Sequence, residues 1–219
     1  MIVQTVATID GTVTLYVPAL NEHYHSVHGA MQESMHVFIR AGLLEAAKTK
    51  KELQIFEMGF GTGLNALLTW RWAQMNALNI HYTSVEKFPL EKTVIDSLNY
   101  AEKDETVFFE QIHSAEWNKQ SVIAGNFNLQ KKLGDISEIN FPQKSFDVIY
   151  FDAFAPRVQP ELWTDEIFGK MFSLLNPAGI LVTYCAKGEV KRSMKRAGFE
   201  VETLAGPPGK REMTRGRKI

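Results

Sequence analysis

Apolar and polar positions along this chain switch repeatedly between the period of a strand and that of a helix. Residues 3–9 and 12–16 are β-rich runs on either side of Asp10-Gly11, a dipeptide suited to a tight hairpin turn. Over residues 33–47, Met35, Phe38, Ile39, Leu43 and Ala46 recur at helical spacing. Residues 48–52 are a polar linker, and residues 53–58 read as the first core strand. A helix follows over 64–78, then a strand over 80–85 that ends at Glu86. Pro89 suits the first turn of a helix running to about residue 100. Further strands are predicted over 127–133, 146–151, 180–184 and 199–204, with helices over 162–175 and 190–197. Residues 211–214 read as a last edge strand, whereas residues 112–126 carry no clear period.

Strands that alternate with helices predict an α/β, Rossmann-like fold: a mostly parallel sheet with helices on both faces. Right-handed crossovers then place the ligand crevice at the C-terminal ends of the strands. Glu57, Glu86, Asp135 and Asp152 all fall at or near those ends. The division expected is a hairpin-and-helix extension over residues 1–50 packed on a main domain over 51–219, together one structural unit.

The composition, 45% hydrophobic and 22% charged over 219 residues, is that of a chain with a real core. No apolar run approaches the roughly 18 to 20 residues that span a bilayer. The N-terminus lacks a basic segment followed by an apolar stretch, so no signal peptide is expected and the cytoplasm is the expected location. The single cysteine, Cys185, excludes an internal disulfide and a cysteine-based zinc site. The net charge of −1 hides an asymmetry: from Lys187 onward there are ten Lys/Arg against four Glu, on an otherwise acidic body. Such a basic tail fits either a polyanion footprint or an ordinary solvated face.

The most specific chemistry lies in residues 55–65, Ile-Phe-Glu-Met-Gly-Phe-Gly-Thr-Gly-Leu-Asn. A short strand runs into Gly59, Phe60, Gly61, Thr62 and Gly63 and on to a helix that begins near Asn65. Glycine turns of this kind usually cradle phosphate on free N–H groups. Glu57, two residues before the first glycine, would repel a pyrophosphate and suit a ligand with positive charge and hydrogen-bond donors. S-adenosylmethionine, with a sulfonium, an ammonium and no phosphate, is such a ligand; an NAD site or a purely structural turn are the alternatives. Glu86 would grip ribose hydroxyls for either cofactor. Asp135 can accept the exocyclic amino hydrogen of adenine while Ile136 covers the ring, or it can serve as a helix N-cap. Asp152, in Asp-Ala-Phe-Ala-Pro, leaves the most apolar strand and can orient an amine nucleophile or, again, cap a turn. Phe154 offers a stacking face for a planar base and Pro156 stiffens the loop. His23, His25, His28 and His36 cluster without the Glu or Cys that would complete a known ligand set, so no metal is expected. Trp70, Trp72 and Trp163 read as packing residues.

Taken together, Glu57-Met-Gly-Phe-Gly-Thr-Gly-Leu-Asn65, Glu86-Lys-Phe-Pro-Leu90, Gly134-Asp-Ile136, Asp152-Ala-Phe-Ala-Pro156 with Trp163, and Lys210-Arg-Glu-Met213 resemble the MnmC type of tRNA 5-methylaminomethyl-2-thiouridine methyltransferase. The segment over 24–38, with Gly29, Ala30 and Glu33, is similar to the family's segment ahead of the cofactor loop. The resemblance implies a class I methyltransferase fold, with a seven-stranded, mostly parallel sheet carrying one antiparallel strand near the edge. It implies S-adenosylmethionine held by Glu57, Gly59, Phe60, Gly61, Thr62, Gly63, Asn65, Glu86, Lys87, Asp135, Ile136 and Asp152. It implies methyl transfer to the amine of 5-aminomethyl-(2-thio)uridine at the tRNA wobble position, with Asp152 as the catalytic group at that amine. Phe154 and Pro156 would meet the base, and Lys187, Lys191, Arg192, Lys195, Arg196, Lys210 and Arg211 the tRNA phosphates. Bifunctional members of the family add a flavin-dependent oxidoreductase domain. This sequence, ending at Ile219, reads as a stand-alone methyltransferase supplied with its aminomethyl substrate by another enzyme. Methylation of a small-molecule or protein amine, and a non-catalytic RNA-binding relic of the fold, are the alternatives.

Overall fold

The computed structural model describes residues 2–219. Strands β1 (Gln4–Ala7), β2 (Val13–Val17) and β3 (Glu22–His23) form a small antiparallel sheet in that order. Its first turn is the expected Asp10-Gly11 hairpin. Asp10 Oδ1 accepts hydrogen bonds from the Thr8 hydroxyl and the Thr12 amide, and Gly11 takes φ +83°.

The helical stretch predicted over 33–47 runs from α1 (Ala30–Ser34) through a π-helical turn system over Met35–Leu43 to α2 (Leu44–Ala46). Its middle is therefore π rather than α, a difference that apolar spacing alone does not resolve. The π segment buries Val37, Phe38, Ile39, Gly42 and Leu43. At Gly42 an added Cβ would lie 3.0 Å from Val182 and 3.1 Å from Tyr150, so the missing side chain lets the helix lie close on the sheet.

The main sheet contains β4 (Glu52–Met58), β5 (Asn79–Glu86), β6 (Gln120–Ala124), β7 (Phe127–Leu133), β8 (Phe146–Phe151), β9 (Leu175–Thr183), β10 (Glu200–Ala205) and β11 (Glu212–Arg217). Their order is β10-β11-β9-β8-β4-β5-β7-β6. Strands β9, β8, β4, β5 and β7 are parallel neighbours, while β11 and β6 run antiparallel to theirs. The sheet thus has eight strands where seven were expected. The additional one, β6, lies in the segment without a period, because an edge strand needs no buried face. Residues 211–214, expected at an edge, belong to β11, which is inserted between β9 and β10. The Arg-rich sequence of β11 disguised this. Arg215 and Arg217 both pair with Glu202, Arg217 also meets Glu45, and Met213, Thr214 and Gly216 are buried.

Each face of the sheet has its own core, as the two-residue alternation of strands requires. Leu53 and Ile55 of β4 pack with Phe38, Leu67 and Tyr150 on one face, and Phe56 and Met58 pack with Phe146, Phe168 and Met171 on the other. Strand β8 is buried on both faces throughout, the pattern expected of a central parallel strand.

Helix α3 (Leu64–Asn76) follows the glycine turn, and α5 (Thr106–Ser114) is a helix that the residue pattern did not announce. The helix expected from Pro89 to residue 100 shrinks to α4 (Lys92–Ile95). The residues after it are used instead to hold the N-terminal sheet. Asn99 accepts from the Val13 amide and donates to the Gly11 carbonyl, and the Tyr100 hydroxyl donates to the Val13 carbonyl.

Helix α6 (Asp165–Leu174) is capped by Thr164, whose hydroxyl accepts from the Ile167 amide at 3.3 Å. Thr164→Ala is expected to lower stability by about 1 kcal/mol, measured by urea unfolding. An unchanged midpoint would show that the cap contributes nothing. Helix α7 (Gly188–Arg196) follows β9. No helix is long and apolar enough to cross a membrane among the described residues.

Candidate active site

At the C-terminal ends of β4, β5, β7 and β8 a pocket of about 780 Å³ opens. The glycine turn forms one wall, with Gly59, Gly61 and Gly63 at φ +86°, +49° and +72°, angles that disfavour any residue with a Cβ. At Gly59 such a carbon would also stand 3.2 Å from the Asp152 carbonyl oxygen, so glycine there lets the loop pass beside β8.

The N–H groups of these three glycines are all bonded inside the protein. Gly59 donates to Val85 O at 2.9 Å, Gly61 to Glu86 Oε2 at 3.0 Å and Gly63 to Phe60 O at 2.9 Å. These three amides are therefore not free to meet a phosphate, and the Gly61 amide is taken by a carboxylate. Glu86 is fixed from its other side by the Phe88 amide, which donates to Oε1 at 2.7 Å. Its remaining lone pairs face the pocket that Glu86 lines.

No helix follows directly on Asp135, so it is not the helix N-cap that was one of its two readings; it caps a turn instead. Its Oδ1 accepts from the Ser137 amide and hydroxyl, and its Oδ2 pairs with Lys87 Nζ at 2.9 Å. The Ser137 hydroxyl bond, then Lys87, hold its carboxyl down at about 2. Asp135 also lines the pocket, alongside Ile136, Val85, Met58 and Leu162, which offer an apolar surface for a flat ring.

Asp152, half-buried where β8 ends, accepts from Asn65 Nδ2 at 2.8 Å through Oδ2. Burial pushes its carboxyl up to about 7; the Glu33 charge adds to the rise, and the Asn65 bond and Lys210 ammonium oppose it. The loop beyond it is tied down at three points. The Tyr184 hydroxyl donates to Ala153 O, the Trp163 indole to Phe154 O, and the Phe154 amide to Gln159 Oε1. The Phe154 ring meets Tyr24 edge-on, with centroids 5.0 Å apart. Phe154 lines the pocket, and Pro156 stands outside it.

Several of the expected site residues lie outside the pocket lining. Glu57 does not line the pocket: it is 1% exposed, and its position on β4 directs it into the core layer of Tyr82 and Tyr150. Its Oε2 has no hydrogen-bond partner, nor do the nearby Asn65 Oδ1 and Tyr82 hydroxyl. Burial, and then the charge of Asp152, push its carboxyl well above the usual range. Gly63 also lies behind the wall, packed toward His113. Of the seven basic residues expected to meet tRNA, Lys210 alone lines the pocket among the described residues, where Lys87 and Arg157 join it. Lys187, Lys191, Arg192, Lys195 and Arg196 lie at or on α7, outside it, with Lys191 paired to Glu212 and Arg196 to Asp165. Among the described residues, Arg192, Lys195 and Arg211 are exposed and make no ion pair.

Residue-by-residue reading missed the part of the wall built by Glu22, Tyr24, His25 and Glu33. Tyr24, His25 and Glu33 fall in the 24–38 segment whose resemblance was noted, whereas Glu22 gave no signal. His25 is buried there and is pushed down to about 4 by that burial. Among the described residues, no group of three or more His, Cys, Asp or Glu is arranged to hold a metal ion.

A bifunctional tRNA 5-methylaminomethyl-2-thiouridine biosynthesis protein of Cupriavidus necator is 32% identical over 212 residues, covering 91% of this chain and 32% of that protein. The protein of the same name in Idiomarina loihiensis is 32% identical over 215 residues, covering 90% of this chain and 35% of that protein. The chain therefore spans about a third of the length of these relatives. The crystal structure of MnmC2 from Aquifex aeolicus superposes with a TM-score of 0.81 at 27% identity, over 98% of this chain and 70% of that one. A methyltransferase structure from Methanosarcina mazei shares the fold alone, with a TM-score of 0.50 at 14% identity. The family described as S-adenosyl-L-methionine-dependent methyltransferase matches residues 99–219, more than half of the sequence, and its cationic cofactor suits a pocket lined with carboxylates. This chain belongs to that family of S-adenosyl-L-methionine-dependent methyltransferases.

Proposed function

We propose that the chain methylates the amine of 5-aminomethyl-(2-thio)uridine at the wobble position of tRNA. The observation that carries this reading is the Asp152 carboxylate, oriented by Asn65, between the glycine turn and the Phe154–Tyr24 aromatic pair. The names of the relatives, which specify 5-methylaminomethyl-2-thiouridine biosynthesis, supply the acceptor chemistry.

S-adenosylmethionine, when bound, supplies an activated methyl group. Glu86 would hold its ribose, and Ile136, Val85 and Leu162 its adenine. Asp152 and Glu86 give the pocket the negative potential that a sulfonium requires. Phe154 provides a face for the uracil ring, and a wobble base in a single-stranded loop is extruded at little cost in pairing. The acceptor amine is a nucleophile only when neutral, whereas alkylammonium groups, like Lys, lose their proton near pH 10. Asp152, at about 7, is a far stronger base than a solvated carboxylate. It accepts a proton from the ammonium and turns the freed lone pair toward the methyl carbon. Alignment supplies most of the remaining acceleration. The substrate must already carry its aminomethyl group, so an earlier modification step provides it.

Labelled S-adenosylmethionine, incubated with tRNA that has or lacks the aminomethyl group and followed by nucleoside analysis, tests the reading. Label confined to 5-methylaminomethyl nucleosides is expected. Equal labelling of both tRNAs, or of neither, would exclude it. The exposed Arg192 and Lys195 of α7, with the exposed Arg211 on the turn before β11, are the proposed phosphate contacts. Arg192→Ala with Lys195→Ala is expected to flatten the dependence of log K for tRNA on log salt by about 1.5, with cofactor affinity unchanged. Wild-type affinity that ignores salt would remove these contacts from the reading.

A further inference from the structure

The Glu33 side chain is 8% exposed, yet it meets the pocket through two bonds: Oε1 pairs with Lys210 Nζ at 2.5 Å, and Oε2 accepts from the Ser26 amide at 2.8 Å. Lys210, on the turn between β10 and β11, lays its ammonium 4.0 Å from the centroid of the Tyr184 ring. An ammonium has three N–H hydrogens. The ion pair engages one and the ring face attracts another, which leaves a donor for the pocket that Lys210 lines together with Asp152, Glu33 and Tyr184.

In a 5-aminomethyluracil the C4 carbonyl is the ring neighbour of the carbon that carries the aminomethyl group. A donor that lines the same pocket as Asp152 and feels its charge can serve that carbonyl when the amine stands at the carboxylate. We propose that Lys210 is a substrate-positioning residue that donates to the C4 carbonyl oxygen of the acceptor base, and that Glu33 holds it there. The inference deepens the acceptor reading above and rests on it. It also gives the site a means of rejecting cytosine, which carries an amino donor at the same ring position.

The pair also sets the charge around the reacting amine. The titratable groups that act on Asp152 or feel its charge are the carboxyls of Glu33 and Glu57, the Lys210 ammonium and the hydroxyls of Tyr82 and Tyr184, while the His25 imidazole acts with Glu33 and Lys210. Loss of the Lys210 cation makes both the amine and Asp152 hold their protons more tightly. Loss of the Glu33 charge acts on Asp152 in the opposite sense.

The test uses the full chain, aminomethylated tRNA and three variants: Lys210→Met, Lys210→Arg and Glu33→Gln. Lys210→Met is expected to raise the tRNA KM at least tenfold, leave the calorimetric affinity for S-adenosylmethionine within twofold, and move the acid limb of kcat/KM to higher pH. Lys210→Arg, which keeps a cationic donor, should recover part of the KM. Glu33→Gln should move the acid limb to lower pH. Retained cofactor affinity also shows that each variant is folded. A Lys210→Met protein that loses cofactor affinity instead would assign the ammonium to the cofactor's carboxylate and overturn the proposal. An unchanged KM, or acid limbs that shift the same way in Lys210→Met and Glu33→Gln, would overturn it as well. A wild-type protein inactive on the tRNA would instead remove the acceptor reading itself.

Discussion

Asp152→Asn is expected to slow single-turnover methyl transfer by between about 100-fold and 10,000-fold, with S-adenosylmethionine still bound at nearly wild-type affinity. The substituted amide keeps an oxygen for the Asn65 hydrogen bond, so the loop should hold its place. What disappears is the base. The wild-type rate should therefore rise with pH through about 7, where burial and the Glu33 charge place the Asp152 carboxyl. In the variant this limb should move toward the amine's own range, near pH 10.

The same shift predicts how stability responds. A free aspartate titrates near 3.9, and in the fold Asp152 is raised to about 7. Its contribution to stability is complete below the unfolded value and is lost as pH rises through the folded one. Asp152→Asn removes that loss, so at pH 8 the variant should unfold at a urea concentration no lower than that of the wild type. An Asp152→Asn enzyme with an unimpaired single-turnover rate would end the claim that this carboxylate serves the amine. A variant unfolding earlier at pH 8 would contradict the placement of the charge.

Glu86→Ala is expected to weaken S-adenosylmethionine binding by between about 10-fold and 100-fold, measured calorimetrically. The carboxylate accepts both the Gly61 and Phe88 amides, and hydrogen bonds to a charged group are worth roughly 1.5–3 kcal/mol. Its removal leaves the Gly61 N–H without a partner at the pocket wall and removes the acceptor expected to meet the ribose. Glu86→Gln retains one carbonyl oxygen and should fall between the two. If both variants bound the cofactor as the wild type does, the glycine turn would not depend on Glu86, and the ribose would have to be placed elsewhere. Asp135→Ala is not equivalent, because that carboxylate is already engaged by Ser137 and Lys87.

The glycine turn, the acidic residue closing the second core strand and the Asp-Ala-Phe-Ala-Pro loop were all legible before folding was considered. Each is a local device whose geometry follows from residue type and spacing. Glu57 shows where such reasoning reaches its limit. Its position before the first glycine pointed to a cofactor contact, but the strand's alternation turns it into the core, and the carboxylate at the Gly61 amide belongs to Glu86 on the neighbouring strand. Lys210 looked like one more cation in a basic tail. Its partner is Glu33, 177 positions earlier in the chain, and no local pattern could reveal that pair.

The sequence by itself determined the α/β alternation, the doubly buried β8, the hairpin at Asp10-Gly11 and the sheet edge at which the pocket opens. Those features arise from periodicity and turn chemistry, which act over a few residues at a time. Only the tertiary structure decided that β11 slips between β9 and β10, that β6 adds an edge, and that residues 92–100 give up most of a helix to hold the N-terminal sheet. It alone joined Glu33, Lys210, Tyr184 and Asp152 in one wall. Pairings between distant segments depend on which surfaces remain exposed once the local elements have formed, and that information is not carried by any one stretch of the chain.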